Sequence, residues 1–291
     1  MACCESSGGS GKRKRRFNGR SDCDDVLKGL DLAWKTIAIT GTTTGIGTET
    51  AKSLALAGAH LILLNRSHEL SEKQKAEILA RRPDARVDFV QCDLSSLASV
   101  RAAAEGVIDL KCPLHVLVLN AGVFASTQKE TSDGLEPTFG VNHLTPSRLT
   151  EEKVTALMPP STTTTNSFTL YCLSKLCNVL FAKKLHRSEH ANGIDVYVLH
   201  PGAFINTGLS RGLGFWGRAL NAIASPFTKN LSQGAATSVY CAAHPEVAGV
   251  SGKYWDSCWD DEGRLKKALA EDVDLQDALW TRTEELLEKI A

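Results

Sequence analysis

Lys35-Thr36-Ile37-Ala38-Ile39-Thr40 runs straight into Gly41-Thr42-Thr43-Thr44-Gly45-Ile46-Gly47. The first six residues form a short apolar run with β-branched side chains, the composition of a strand buried in a sheet. Glycines at 41, 45 and 47 end that strand and lead into a helix expected from Gly45 to Ala57. A strand, a glycine turn and a helix N-terminus in this order aim backbone N–H groups and the positive end of a helix dipole at one point, which suits a pyrophosphate. Glycine serves there because it turns sharply and lets a ligand approach the backbone. A plain tight turn after a strand reads the same way, so the wider chain has to decide.

Outward from this stretch, strands and helices alternate. His60 to Asn65 reads as strand two, Glu69 to Arg81 as a charged helix, Val87 to Gln91 as strand three, and a helix follows from Leu97. Strand four is expected from His115 to Asn120, a long helix from Tyr171 to His190, a strand from Ile194 to His200 and a helix from Gly234 to Ala243. Unbroken apolar runs such as Leu61-Ile62-Leu63-Leu64 and Val116-Leu117-Val118-Leu119 fit strands covered on both faces. The pattern predicts an α/β fold, a doubly wound parallel sheet of the Rossmann type, in one domain over 30–291. Residues 1–29 read as a disordered basic tail and linker.

Composition narrows the function classes. With 291 residues, 43% of them hydrophobic, the chain can bury one large core. Lys plus Arg equal Asp plus Glu at 33 each, so no global charge points to nucleic acid. Lys12 to Arg16 form a local basic cluster, which fits either a nuclear import signal or a solvated arm. The nine cysteines show no metal-ligand spacing, so no metal is expected. Without an apolar leader or a membrane-length apolar run, they read as reduced thiols of a cytoplasmic protein with no transmembrane segment.

Chemistry enters with Tyr171-Cys172-Leu173-Ser174-Lys175, where a phenol and an ammonium fall one helical turn apart on one face. Cys92-Asp93-Leu94, Asn120-Ala121-Gly122 and Val141-Asn142-His143 lie between the glycine turn and this pair. Each alone fits ordinary surface or a strand-ending turn. As an ordered set they resemble the signature of the short-chain dehydrogenase/reductase family, over nearly the whole chain from Leu30 onward. The flanks Arg16-Phe17-Asn18-Gly19, Val26 to Asp31 and Pro226 to Thr237 are similar to its WW domain-containing and retinol-dehydrogenase-like branch. A WW module needs two tryptophans in a short sheet, and the first tryptophan here is Trp34, so proline-motif binding is not expected.

The resemblance implies an oxidoreductase interconverting an alcohol and a carbonyl through a nicotinamide cofactor. Tyr171 would exchange the substrate proton, Lys175 would hold the nicotinamide ribose and lower the phenol's pKa, and Asn142 would anchor a relay water. Gly41, Thr43, Thr44, Gly45, Ile46 and Gly47 would cradle phosphate. Asp93 and Leu94 would line the adenine, and Asn120, Ala121 and Gly122 would lie under the nicotinamide ribose. Pro201 and Gly202 would face the carboxamide, and Thr207 the phosphates. At the end of strand two, where an acidic residue would select NAD(H), stands Asn65-Arg66. A guanidinium can pair with a 2′-phosphate, so NADP(H) is the expected cofactor and NAD(H) the alternative. The resemblance, with Leu213-Gly214-Phe215-Trp216 in an expected lid, suggests a small lipophilic substrate of steroid or retinoid type. A homodimer through the Tyr171 helix is a further implication, with Cys177, Leu180 and Phe181 placed either in that interface or in the core.

The chain departs from the family between Asn142 and Tyr171. A crossover takes about a dozen residues and a buried strand about five, which leaves the segment 143–170 marginal. Pro146, Pro159 and Pro160 break regular structure, and Ser161-Thr162-Thr163-Thr164-Thr165-Asn166-Ser167 has no apolar run. The expectation is an internal deletion that removes central strand five and the family's catalytic serine, with Ser161 and Ser167 as the only nearby serines. Impaired catalysis follows, and the alternative is a catalytically silent nucleotide-binding or protein-interaction variant.

Overall fold

The computed structural model describes residues 15–124, 130–143, 167–202 and 229–290. Strand β1, Thr36–Thr40, is buried at every position. It lies between β2, His60–Asn65, and β4, Val116–Val118, with β3, Val87–Gln91, beyond β2; the order is β3-β2-β1-β4 and all pairs are parallel. Ile37 is in register with Leu61 on one side and Val116 on the other.

Strand alternation divides the apolar residues between two faces. Ile37, Ile39, Leu61 and Leu63 join a core with Val26, Leu54 and Val239. Those three come from α1, Cys23–Leu27, α2, Gly45–Leu56, and α7, Leu231–Ala243. Ala38, Ile62 and Leu64 face the opposite way, onto Ala103 of α4, Leu97–Asp109. On the first face, burial of Ile37, Leu54, Leu61 and Leu63 to 0% exposure stabilises the domain by about 1.5–3 kcal/mol for each side chain. Between β2 and β3, α3 spans His68–Arg81. Ser67 and Ser96 accept hydrogen bonds from the first-turn amides of α3 and α4, which fixes where those helices begin.

A third cluster joins α5, Pro137–His143, α6, Ser167–Glu189, and α8, Val273–Ile290, through Phe139, Cys177, Leu180, Leu275 and Leu279. Phe181 stacks on Trp280 with ring centroids 5.0 Å apart. Cys177 and Leu180 are core residues, and Phe181 is half-buried against α8. A second sheet holds β5, Tyr197–His200, parallel to β6, Lys253–Asp256, which pairs antiparallel with β7, Trp259–Asp260. Lys183 of α6 and Lys253 of β6 both donate to Glu262, at 2.7 and 2.9 Å, tying that helix to this sheet.

Among the described residues no strand stands between β4 and β5, and the described strands form two sheets. Leu117 and Leu119 are 52% and 71% exposed. The expected loss of strand five falls on 144–166, which with Ser161 lie outside the described residues; Ser167 opens α6.

The expected tail needs correction. Phe17, Cys23, Val26 and Leu27 are buried, and Asp22 and Asp25 form a reciprocal cap on α1. Cys23 N donates to Ser232 Oγ at 3.1 Å, so residues 17–29 belong to the packed domain. Within the basic cluster, Arg15 Nε donates to the Phe17 carbonyl and Arg16 pairs with Glu246 at 3.4 Å; residues 12–14 lie outside the described residues. Described cysteines are all free, with Cys23, Cys92, Cys177, Cys241 and Cys258 buried, Cys112 intermediate and Cys172 exposed. No helix among the described residues is long and apolar enough to cross a membrane.

Candidate active site

The glycine turn is held from two sides. Gly41 has φ +69°, and a side chain there would crowd the Ala121 backbone. A Cβ on Gly47 would fall on the Gly41 carbonyl oxygen and the Asn120 amide. Asn120 Nδ2 donates to the carbonyls of Thr40 and Gly41, both at 2.9 Å, and Thr40 Oγ1 accepts from the amides of Asn120 and Ala121. The end of β4 and the start of the turn thus form one hydrogen-bonded unit.

The second support comes from Asn65, a residue that sequence reading had weighed only against NAD selection. It is buried, its Oδ1 accepts from Thr42 N at 2.7 Å, and its Nδ2 donates to Thr42 Oγ1 and Ser71 Oγ. Thr42 Oγ1 in turn donates to Gln74 Oε1 at 2.7 Å. The only sequence signal for this clamp was a polar residue closing an apolar strand. Thr43 is half-buried and Thr44 exposed at the N-cap of α2, with no side chain capping the helix. The amides of Gly45, Ile46 and Gly47 therefore open the helix uncapped, as an anion site requires.

Around the turn, Arg66 is exposed at the end of β2 and has no partner among the described residues. Asp93 accepts from Ser95 through Oδ1 only, and Leu94 packs against the α4 face. Gly202, with φ +105°, is bonded through its amide to His200 Nδ1 at 3.0 Å. Lys229 Nζ lies beneath it, 3.5 Å from the Pro201 carbonyl and 3.3 Å from Ser257 Oγ. Lys229 was missed as a support of this turn. Thr207 and Leu213 to Trp216 lie outside the described residues.

Tyr171, Lys175 and Asn142 come together beneath Gly122. A Cβ on Gly122 would lie 3.1 Å from Asn142 Oδ1 and 3.3 Å from Lys175 Nζ, so glycine alone leaves room for both. Asn142 is buried; its Oδ1 accepts from Val123 N at 2.6 Å and its Nδ2 donates to Val123 O and Ser174 Oγ. Ser174 Oγ donates to the Tyr171 carbonyl at 2.8 Å, linking α5 to the first turns of α6. Behind them His143 Nδ1 lies 2.8 Å from Asn178 Oδ1, and Asn178 Nδ2 donates to the Asn142 carbonyl at 3.1 Å. Burial pushes the His143 imidazole down to about 4, against the pull of its bond to Asn178 and helped by the Lys175 charge.

The lowered phenol expected from Lys175 is not what this arrangement produces. Lys175 Nζ sits 5.4 Å from the Tyr171 ring centroid, over the ring, and Phe124 meets that ring edge-on at 5.3 Å. Burial, with a smaller contribution from the Cys172 thiol, holds Tyr171 above its ordinary value. Burial also lowers Lys175, which makes no hydrogen bond or ion pair with a described residue. A desolvated ammonium with no acceptor is destabilised until a ligand with oxygen acceptors reaches it. A dinucleotide fits these residues: uncapped amides for its phosphates, and Lys175 for its ribose hydroxyls.

Comparison with known proteins agrees with this geometry. The family described as short chain dehydrogenase matches residues 35–214. The chain is 35% identical to the WW domain-containing oxidoreductase of Danio rerio, over 95% of this chain and 74% of that protein. It is 33% identical to retinol dehydrogenase 12 of Mus musculus, over 89% and 88%. Among solved structures, a blue fluorescent protein from a metagenomic library, in complex with NADPH, superposes with a TM-score of 0.59 at 26% identity, over 77% of this chain and 96% of that one. The Danio match spans 310 positions, of which 95% of a 291-residue chain fills only about 276, leaving about 34 positions of the relative without a counterpart. A parallel sheet ending in a glycine turn, a tyrosine and lysine one turn apart under the fourth strand, and these matches together place the chain in the short-chain dehydrogenase family of oxidoreductases.

Proposed function

We propose that this oxidoreductase interconverts an alcohol and a carbonyl on a small lipophilic substrate with NADP(H), at a rate lowered by the loss of the family's serine. One observation carries the reading: Lys175, half-buried and with no acceptor among the described residues, lies one helical turn from Tyr171 and beside Gly122. The bound nicotinamide supplies or takes the hydride. Tyr171 Oη donates its proton to the carbonyl oxygen during reduction and takes it back during oxidation. Lys175 donates to the ribose hydroxyls, and its charge opposes the desolvation that raises the phenol. Asn142 and Ser174 fix the first turn of α6 so that the phenol faces the end of β4. Phe124 and Phe168, 41% and 67% exposed, offer apolar surface near the phenol and support a lipophilic substrate.

Arg66, exposed at the end of β2 and without a partner among the described residues, supports a 2′-phosphate and hence NADP(H) over NAD(H). The NADPH carried by the metagenomic protein is in keeping with this. Loss of one donor to the reacting oxygen lowers the rate roughly 10²- to 10³-fold. The free thiols support a cytoplasmic setting.

That no strand stands between β4 and β5 among the described residues supports a second reading, a nucleotide-binding protein without turnover. Energy transfer from protein tryptophan to bound NADPH, run beside oxidation of a secondary alcohol, separates the two. Turnover that vanishes in Tyr171→Phe while NADPH stays bound supports the enzyme. NADPH binding without turnover in either form leaves the second reading, and no binding of either nicotinamide by folded protein refutes both.

A further inference from the structure

Helix α6 grips Asn142 at two points one helical turn apart. Ser174 Oγ gives its own proton to the Tyr171 carbonyl at 2.8 Å, so towards the Asn142 side chain it accepts, from Nδ2 at 3.1 Å. Four residues on, Asn178 Nδ2 donates to the Asn142 carbonyl at 3.1 Å. Residues i and i+4 share one face of a helix. The side chain and the main chain of one α5 residue are therefore pinned to the same face of α6. Lys175 falls between the two pins. A Cβ on Gly122 would lie 3.3 Å from Lys175 Nζ and 3.1 Å from Asn142 Oδ1, so the ammonium and that amide share the space beneath the glycine.

His143 sets the direction of the second pin. A peptide carbonyl only accepts, so the end of the Asn178 amide that faces Asn142 is its NH2 group and the end that faces His143 is its oxygen. That oxygen, 2.8 Å from Nδ1, requires the ring proton to sit on Nδ1. Nε2 is left bare; it is buried without a hydrogen-bond partner among the described residues, and the ring meets Phe139 and Phe181 edge-on at 5.5 and 5.8 Å. Moving the proton to Nε2 would bury a donor beside those rings and turn two lone pairs against each other at Asn178, which is unfavourable twice over. Burial pushes the imidazole down to about 4, so the ring keeps this single-proton form at neutral pH. Proton order thus runs one way, from His143 through Asn178 to the Asn142 carbonyl.

We propose that His143 and Asn178 are positioning residues that act through Lys175: by fixing the Asn142 carbonyl on α6, they set where the ammonium stands beneath Gly122 and hence its grip on the nicotinamide ribose. The inference rests on the reading of Lys175 as the ribose ligand. Cys177 and Leu180 hold α6 in the core as a body, so loss of the second pin leaves the helix in place and disturbs the setting of its first turns. Only the Ser174 bond then ties those turns to Asn142.

Calorimetric titration of the full chain with two probes tests this: NADPH, and 2′,5′-ADP, which carries the adenosine half and no nicotinamide ribose. Asn178→Leu and His143→Phe will weaken NADPH about tenfold, the range of one charged hydrogen bond, and leave 2′,5′-ADP within about twofold. His143→Gln, which keeps a donor for Asn178, will recover most of that loss. In Lys175→Met, itself about tenfold weaker for NADPH, Asn178→Leu will add no further loss, because the group it positions has gone. Should the leucine variant fail to fold, Asn178→Ser carries the same expectation. Equal weakening of both probes means that the substitutions loosen the whole domain, and an added loss in Lys175→Met means that they act elsewhere; either result overturns the proposal. NADPH favoured by the wild type and unchanged in the variants strikes the positioning alone. A wild type that holds NADPH no tighter than 2′,5′-ADP strikes the ribose reading of Lys175, and the positioning with it.

Discussion

Acidification will destabilise this protein through one imidazole. His143 is held near 4 by burial, and its Nε2 is buried without a hydrogen-bond partner among the described residues, so the folded chain keeps the ring neutral. In the unfolded chain the ring takes its ordinary value near 6.5. Below that value the unfolded state binds a proton that the folded state refuses, so stability is full above pH 6.5 and is lost as pH falls towards the folded value. The loss amounts to about 2 kcal/mol at pH 5 and about 3 kcal/mol once both states are protonated. Against a whole-domain stability of about 5–15 kcal/mol this is a large share. Urea unfolding from pH 7.5 to 4.5 measures it, with His143→Gln as reference because glutamine keeps a donor for Asn178 without a titrating group. The stability difference between the two proteins will shrink or invert as pH falls. Parallel curves across that range would refute the reasoning, because carboxylates titrating elsewhere act on both proteins alike.

Gly47→Ala will weaken NADPH binding and lower thermal stability, since its methyl meets the Gly41 carbonyl and the Asn120 amide; overpacking of this kind costs about 1–3 kcal/mol. Asn65→Ala will lower the urea midpoint by the equivalent of about 1–3 kcal/mol, because Thr42 N loses its only acceptor, and NADPH titration will show a weaker complex. Arg66→Ala will weaken NADPH about tenfold or more, the range of one charged hydrogen bond, and leave NADH unchanged in the same fluorescence titration. Equal loss for both cofactors would remove Arg66 from the 2′-phosphate site.

The glycine turn and its strand were legible because the information is local: β-branched apolar residues, then glycines where the backbone must turn. The Tyr171 and Lys175 pair was legible for the same reason, spacing along one helix. α1 was not, because a five-residue helix beside arginines has no amphipathic pattern of its own, and its burial depends on Ser232 and α7 more than 200 positions away. The Asn65 clamp was hidden in the same way, since its partner Thr42 lies on another element. Tyr171 shows a different limit. Spacing brought the ammonium near the phenol, but only the fold placed it over the ring and partly buried both, so desolvation prevails over attraction. The lack of apolar residues before Tyr171 was legible as composition, whereas what 144–166 form lies outside the described residues; Leu117 and Leu119 stand exposed beside that junction.

The distribution of thiols makes the chain its own reporter. Burial lifts Cys23 to about 11 and Cys177 and Cys258 to about 12, whereas Cys172 stands exposed beside Tyr171. A maleimide pulse counted by mass spectrometry will mark position 172 while the interior thiols stay silent, and those will become alkylated together when the domain opens.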